Sequence, residues 1–158
     1  MEHVETIVIG AGQAGLALSH ELTALGRDHL VLERGRVGER WRSERWDSLA
    51  LLTPNWLNRL PGAPPHADPD GFLSRDGFVG HLERYARSFG APVVEGATVL
   101  SVTRGYVVRT DVGEWRADNV VVATGAFDVP HVPAAAQAAP VEHLHVARYR
   151  NPGALAPG

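Results

Sequence analysis

Residues 10–15 read Gly-Ala-Gly-Gln-Ala-Gly, a GxGxxG pattern, and its flanks constrain the chain more than any other feature. Val4 to Ile9 form a short run rich in β-branched residues with little polar relief. Such a run predicts a strand buried on both faces, as in a parallel sheet. From Gln13 to Leu25 the apolar residues Leu16, Ala17, Leu22 and Leu25 recur at helical spacing, and Gly26 follows as a stop. His29 to Leu32 predict a second strand, which ends at Glu33. Strand, helix and strand within about 30 residues make a βαβ unit.

Each glycine then has a physical task. Gly10 permits a tight turn, Gly12 lets backbone approach a pyrophosphate, and Gly15 allows the helix to pack closely on the strand. The helix N-terminus, with Gln13 and Ala14 in its first turn, presents N–H groups and positive dipole to phosphates. Glu33 lies 18 residues past Gly15, where a carboxylate accepts hydrogen bonds from an adenosine ribose. A carboxylate disfavours a 2′-phosphate, so NADPH is not expected here. The pattern by itself does not separate FAD from NAD.

Composition removes other chemistries. All 15 basic residues are arginine, and there is no cysteine. Without lysine there is no Schiff base and no P-loop lysine. Without cysteine there is no disulfide, thiolate nucleophile or Cys-ligated metal. A net charge of −3 argues against general nucleic-acid binding. No apolar run approaches the roughly 20 residues of a membrane span, and Met1 to Glu5 lack a signal-peptide pattern. A cytoplasmic location is expected.

Residues 34–72 are an excursion without regular periodicity, holding Trp41, Trp46 and Trp56 and the stretch Pro61-Gly62-Ala63-Pro64-Pro65. Long ordered excursions in compact domains are often functional. Phe78, Leu82, Tyr85 and Phe89 then predict one core-facing helix stripe, starting near Ser74 or Arg75 and closed by Gly90. Pro92-Val93-Val94 reads as a short parallel strand. Thr98–Thr103, Tyr106–Thr110 and Glu114–Ala117 predict a small antiparallel meander within 97–117. Asn119 to Thr124 predict a further buried strand, ended by Gly125. The expected fold is α/β, a Rossmann-like parallel sheet with that meander. Residues 1–125 are its domain, and 126–158 a Pro/Ala-rich connector. Trp46, Trp56 and Trp115 read as packing anchors. His143 and His145 could face one side of a strand, but no third ligand accompanies them, so no metal is expected. No serine stands in GxSxG.

The chain resembles the two-dinucleotide flavoproteins, specifically the class B flavin-dependent monooxygenases. It looks most like bacterial flavoproteins described as involved in potassium transport and plant indole-pyruvate monooxygenases. Besides Gly10 to Gly15, the matching stretches are Glu33-Arg34, Val37 to Arg42, Arg45-Trp46-Asp47-Ser48-Leu49 and Leu52-Thr53-Pro54-Asn55-Trp56. Leu60-Pro61-Gly62, Val121 to Gly125 with Pro130 and Pro133, and Leu144-His145 with Tyr149 to Pro152 complete them. The resemblance implies that Gly10, Gly12, Gln13, Ala14, Gly15 and Glu33 hold the ADP half of FAD. Arg34 and Trp41 would pack near the adenosine and pyrophosphate, and the Val99 backbone would meet the adenine, although Val99 is also an ordinary strand residue. Ala123, Thr124 and Gly125 would end a strand beside the cofactor, and residues 45–56 would approach the isoalloxazine ring.

The implied activity is oxygenation of a small organic substrate. NADPH reduces FAD, O2 adds at flavin C4a, and the hydroperoxide transfers oxygen. The absence of cysteine sets the chain apart from the flavin disulfide reductases of the same fold. Two family features are missing: a second GxGxxG for NADPH, and a late Gly-Asp pair on the flavin. The Baeyer–Villiger fingerprint FxGxxxHxxxW is also unmet, with Ala139 and Val141 where Phe and Gly would stand. The chain alone is therefore not expected to turn over. A C-terminal half or a dimer partner would have to supply hydride delivery, and no catalytic residue is assigned. The alternative is a non-catalytic remnant of a truncated product, binding FAD or NAD only.

Overall fold

The computed structural model describes residues 1–127, 129–141 and 143–155. Its centre is a six-stranded sheet in the order β3-β2-β1-β6-β5-β4. The strands are β1 (Glu2–Ile9), β2 (His29–Glu33), β3 (Val93–Glu95), β4 (Val99–Thr103), β5 (Val107–Thr110) and β6 (Glu114–Val122). β3, β2, β1 and β6 run parallel, while β4, β5 and β6 pair antiparallel. The helices are α1 (Gln13–Ala24), α2 (Glu39–Ser43), α3 (Arg75–Ser88) and α4 (Ala134–Gln137), with short 3-10 turns at Asn55–Asn58 and Pro152–Ala154.

β1 is apolar at consecutive positions because both of its faces are covered, as its sequence predicts. Val8 and Val31 enter one cluster with Leu16 of α1 and Phe78, Leu82 and Tyr85 of α3. Ile7, Ile9 and Leu32 enter a second cluster with Ala97, Val108 and Ala117, so the meander covers the opposite face. A buried hydrogen bond pins α1 to β2. The Arg27 carbonyl can only accept, so His29 carries its proton on Nδ1 (3.0 Å), and its Nε2 accepts from the Ser19 hydroxyl at 2.8 Å.

The stripe Phe78, Leu82 and Tyr85 is buried, and Ser74 caps α3 by accepting the Gly77 N–H at 3.1 Å. The excursion is ordered. Leu51, Leu60 and Ala63 are core residues, and the Tyr85 hydroxyl donates to the Pro61 carbonyl at 2.8 Å. Burial pushes the Tyr85 hydroxyl up to about 12, so it remains a donor.

Three local readings need correction. Glu114–Ala117 and Asn119–Thr124 are not two strands: β6 runs unbroken from Glu114 to Val122, and its end is not buried, with Val122 69% exposed. It pairs with β5 over its first residues and with β1 along its length. Tyr106 is not in a strand but in the β4–β5 turn, at φ +51 beside Gly105 at φ +81, because a tight hairpin there takes positive φ at both positions. Residues 39–43 form a helical turn although the excursion shows no helical period. Of the expected connector, Asp128, Glu142 and 156–158 lie outside the described residues.

Candidate dinucleotide-binding site

The parallel strands end together. Ile9 lies opposite Leu32 and Val122, and Glu33 lies opposite Glu95. The glycine turn leaves this edge, and the three glycines are under different constraints. Gly10 sits at φ +109, and a Cβ there would stand 2.7 Å from the Ala123 carbonyl oxygen. Its N–H donates to the Leu32 carbonyl at 2.8 Å. A Cβ on Gly15 would fall 1.9 Å from the Gly10 carbonyl oxygen, so α1 packs on the turn only because that Cβ is missing. A Cβ on Gly12 would meet nothing within 4 Å. Packing therefore does not require glycine at position 12. The space in front of it is open, at the N-cap of a helix whose first turn has no side-chain cap. Gln13 and Ala14 are exposed there.

Glu33 is more than the end of a strand. Its carboxylate accepts the Ala11 N–H at 2.8 Å and the Gly35 N–H at 3.0 Å, one on each oxygen. The turn is thereby fixed to the end of β2, and each oxygen keeps a second lone pair for a hydroxyl donor. Glu95, which sequence reasoning missed, does the same one strand over by accepting the Val37 N–H at 2.8 Å. The signal was present: Val93-Val94-Glu95 echoes Val31-Leu32-Glu33.

The remaining predicted residues divide. The Ala123 N–H donates to the Ile9 carbonyl at 2.8 Å, and Ala123 and Thr124 lie against Gly10 and Gly15 of the turn. Gly125 stands at φ +78, and a Cβ there would lie 3.3 Å from a guanidinium nitrogen of Arg40. Arg34 is exposed and pairs with Glu44 at 3.2 Å. Trp41 turns inward and meets Phe78 edge to face at 4.7 Å, with the Arg45 guanidinium 5.4 Å over its ring. Its helix is tied to the glycine turn through the Gly38 N–H and the Ala11 carbonyl, 3.1 Å. Val99 lies on β4, apart from the turn in strand order. Ala97, two residues earlier, donates to the Glu33 carbonyl at 2.8 Å and brings the start of β4 to the end of β2.

Trp115 packs on the second cluster, and its indole N–H donates to Glu2 at 3.2 Å. Trp56 is no packing anchor. It is 57% exposed, because its 3-10 turn buries Asn55 and Asn58, whose amides bond the Asp68 and Thr53 carbonyls. Trp46 lines a cavity of about 360 Å³ with Arg45, Phe127, His131 and His145. His145 accepts the Ala147 N–H through Nδ1, and among the described residues no three His, Cys, Asp or Glu gather as a metal site.

Buried strand, glycine turn, helix N-terminus and acid-ended second strand define a Rossmann-like dinucleotide-binding fold. A family model described as pyridine nucleotide-disulphide oxidoreductase matches residues 7–154, and the chain belongs to that family. It is 38% identical to an oxidoreductase of Geobacillus kaustophilus named CzcO-like, covering 100% of this chain and 47% of that protein. It is 33% identical to an indole-3-pyruvate monooxygenase of Oryza sativa subsp. japonica, covering 92% of this chain and 38% of the relative. Among solved structures, a mutant flavin monooxygenase from Stenotrophomonas maltophilia superposes with a TM-score of 0.86 at 27% identity, over 97% of this chain and 48% of that one. The chain spans about half the length of the curated relatives it matches. Its residues include no cysteine, so no thiol of its own takes part in disulphide chemistry. No helix among the described residues is long and apolar enough to cross a membrane.

Proposed function

We propose that this chain binds FAD by its ADP half and is the flavin-binding part of an NADPH-dependent monooxygenase acting on a small organic molecule with O2. The observation that carries this reading is the open space before Gly12, at an uncapped helix N-terminus, beside a carboxylate with lone pairs to spare. A pyrophosphate needs close backbone approach and N–H donors, and a ribose needs an acceptor. The residues fit an adenine dinucleotide.

In this role Gly12, Gln13, Ala14 and Gly15 present backbone N–H groups to the pyrophosphate. Glu33 accepts from the ribose hydroxyls, the Val99 backbone meets the adenine, and Arg34 and the α2 turn that carries Trp41 pack near the adenosine and pyrophosphate. Ala123, Thr124 and Gly125 run beside the cofactor, and residues 45–56 approach its ring end. Bound FAD supplies electron transfer between NADPH and O2, which no side chain of the protein can carry out. Residues 1–125 act as the binding domain and 126–158 as a connector. Hydride delivery falls to a C-terminal half or a partner, since the 158 residues hold no second GxGxxG. A cytoplasmic location belongs to the same reading.

The test is visible absorbance. The purified chain should be yellow, or become so with FAD, and release FAD on denaturation. Mixed with NADPH and candidate substrates, it should show no robust turnover; turnover by this chain alone would contradict the division of labour. A second reading, a dinucleotide-binding module without catalysis, uses the same glycine turn and carboxylate. Joining the chain to a relative's remaining half separates the two, because only the monooxygenase reading predicts substrate-dependent NADPH oxidation.

A further inference from the structure

Asp47 belongs to the Arg45-Trp46-Asp47-Ser48 stretch, and its hydrogen bonds go to α3 and to Arg150 and Asn151. One carboxylate oxygen accepts from Arg75 Nη1 at 2.8 Å, the other from the side-chain amide of Asn151 at 2.8 Å. The Asp47 N–H donates to the Arg150 carbonyl at 2.8 Å. Arg150 returns the contact, donating through Nη1 to the Arg45 carbonyl at 3.0 Å. With a further bond from Arg75 Nη1 to the Arg45 carbonyl at 3.3 Å, five hydrogen bonds tie Arg45 and Asp47 to Arg75 at the start of α3 and to Arg150 and Asn151, the last two more than 100 residues away in sequence.

These contacts join two segments that both line a cavity. Its lining takes Arg45 and Trp46 from one segment, His145, Val146 and Ala147 from another, and Ala126, Phe127, Val129 and His131 from a third, and its volume is about 360 Å³. Asp47 follows the first lining segment directly, and Arg150 and Asn151 follow the second by a few residues. We propose that Asp47 is a positioning residue: its carboxylate seats segment 145–151 against residues 45–46 and so sets the width of the cavity between them. The placement does not depend on whether FAD binds. Its consequence for catalysis rests on the flavin reading, in which residues 45–56 approach the ring end of the cofactor.

Energetics agree with positioning over stabilisation. The Asp47 side chain is 49% exposed, and ion pairs at such sites contribute little to folding. The Asn151 amide and the Arg75 guanidinium hold the Asp47 carboxyl below the usual carboxylate range, so the acceptor stays ionised at neutral pH. Segment 145–151 is short, irregular backbone with few core contacts of its own, the kind of structure that local bonds hold or release.

Hydrogen exchange on the 158-residue chain tests this without any ligand. Asp47→Ala and Asn151→Ala should each speed amide exchange in 143–151 about tenfold or more, with exchange in β1 and α1 unchanged. Iodide quenching of Trp46, read against the matching Trp46→Phe proteins, should rise in both variants. The pair Asp47→Asn with Asn151→Asp reverses donor and acceptor across the same contact, and it should restore protection toward the wild-type rate. Unchanged exchange in 143–151, faster exchange spread evenly over the whole chain, or no rescue by the exchanged pair would each overturn the proposal. None of these readouts involves FAD, so a failure of flavin binding is distinguishable from a failure here.

Discussion

Gly12 and Gly15 occupy the same motif for opposite reasons. Gly15→Ala would place a methyl 1.9 Å from the Gly10 carbonyl oxygen. The roughly 1 kcal/mol gained in helix propensity does not offset that overlap, and a net loss of about 2 kcal/mol is expected. Gly12→Ala meets open space and should cost under about 1 kcal/mol. Urea denaturation of the two proteins checks the contrast, and equal losses would mean the turn is packed differently. His81 offers a second test. Its ring is buried against His66, with centroids 4.6 Å apart, and the Nε2 atoms of both rings are buried without partners. Burial, His66 and Arg84 lower its pKa, while Phe78 packs alongside and a backbone group of Asn58 opposes the shift. The folded protein therefore keeps His81 neutral where the unfolded chain takes a proton. The contribution of His81 to stability should be flat above about pH 6.5, and should fall as pH drops from there through the lower folded value. Thermal melts from pH 7.5 to 5 should show His81→Phe losing less stability than wild type; parallel curves would exclude the assignment.

At the scale of elements, what was legible depended on whether a local signal agreed with the tertiary answer. β1, α1 and β2 are readable because hydrophobic period and glycine placement change together at Gly10 and Gly26. α3 is readable from its stripe and its cap, and Ser74→Ala should cost about 1 kcal/mol in a chemical melt, since the Gly77 N–H then loses its acceptor. A loss near zero would show water replacing the cap. β6 misled because Asp118 and Asn119 look like punctuation. Both are exposed and paired sideways, Asp118 with His3 at 3.1 Å and Asn119 with the Glu5 carbonyl at 3.3 Å, so they tolerate a strand that sequence alone would break. The same limit hid Glu95 and the Asp47 contacts. Their partners, Val37, Arg75 and Asn151, are set by the fold and by no spacing in the chain.

Taken whole, the molecule gathers its candidate ligand groups at one edge of a parallel sheet. The glycine turn, Glu33 and the 123–125 segment converge there from stretches that sequence could name but not place. The α2 turn and the start of β4 are tied to the same edge by backbone hydrogen bonds. With these groups in one place, the 158-residue chain should hold an ADP-containing dinucleotide by itself. Calorimetric titration of FAD into the wild-type chain and into Gly12→Val tests that most directly. The wild type should bind saturably, and FAD at 100 times Kd should raise its stability by about 2.7 kcal/mol. Gly12→Val should fold normally and bind no FAD, because its side chain fills the space left open before the helix. Absence of binding to the wild type, or equal binding by the two proteins, would contradict the account.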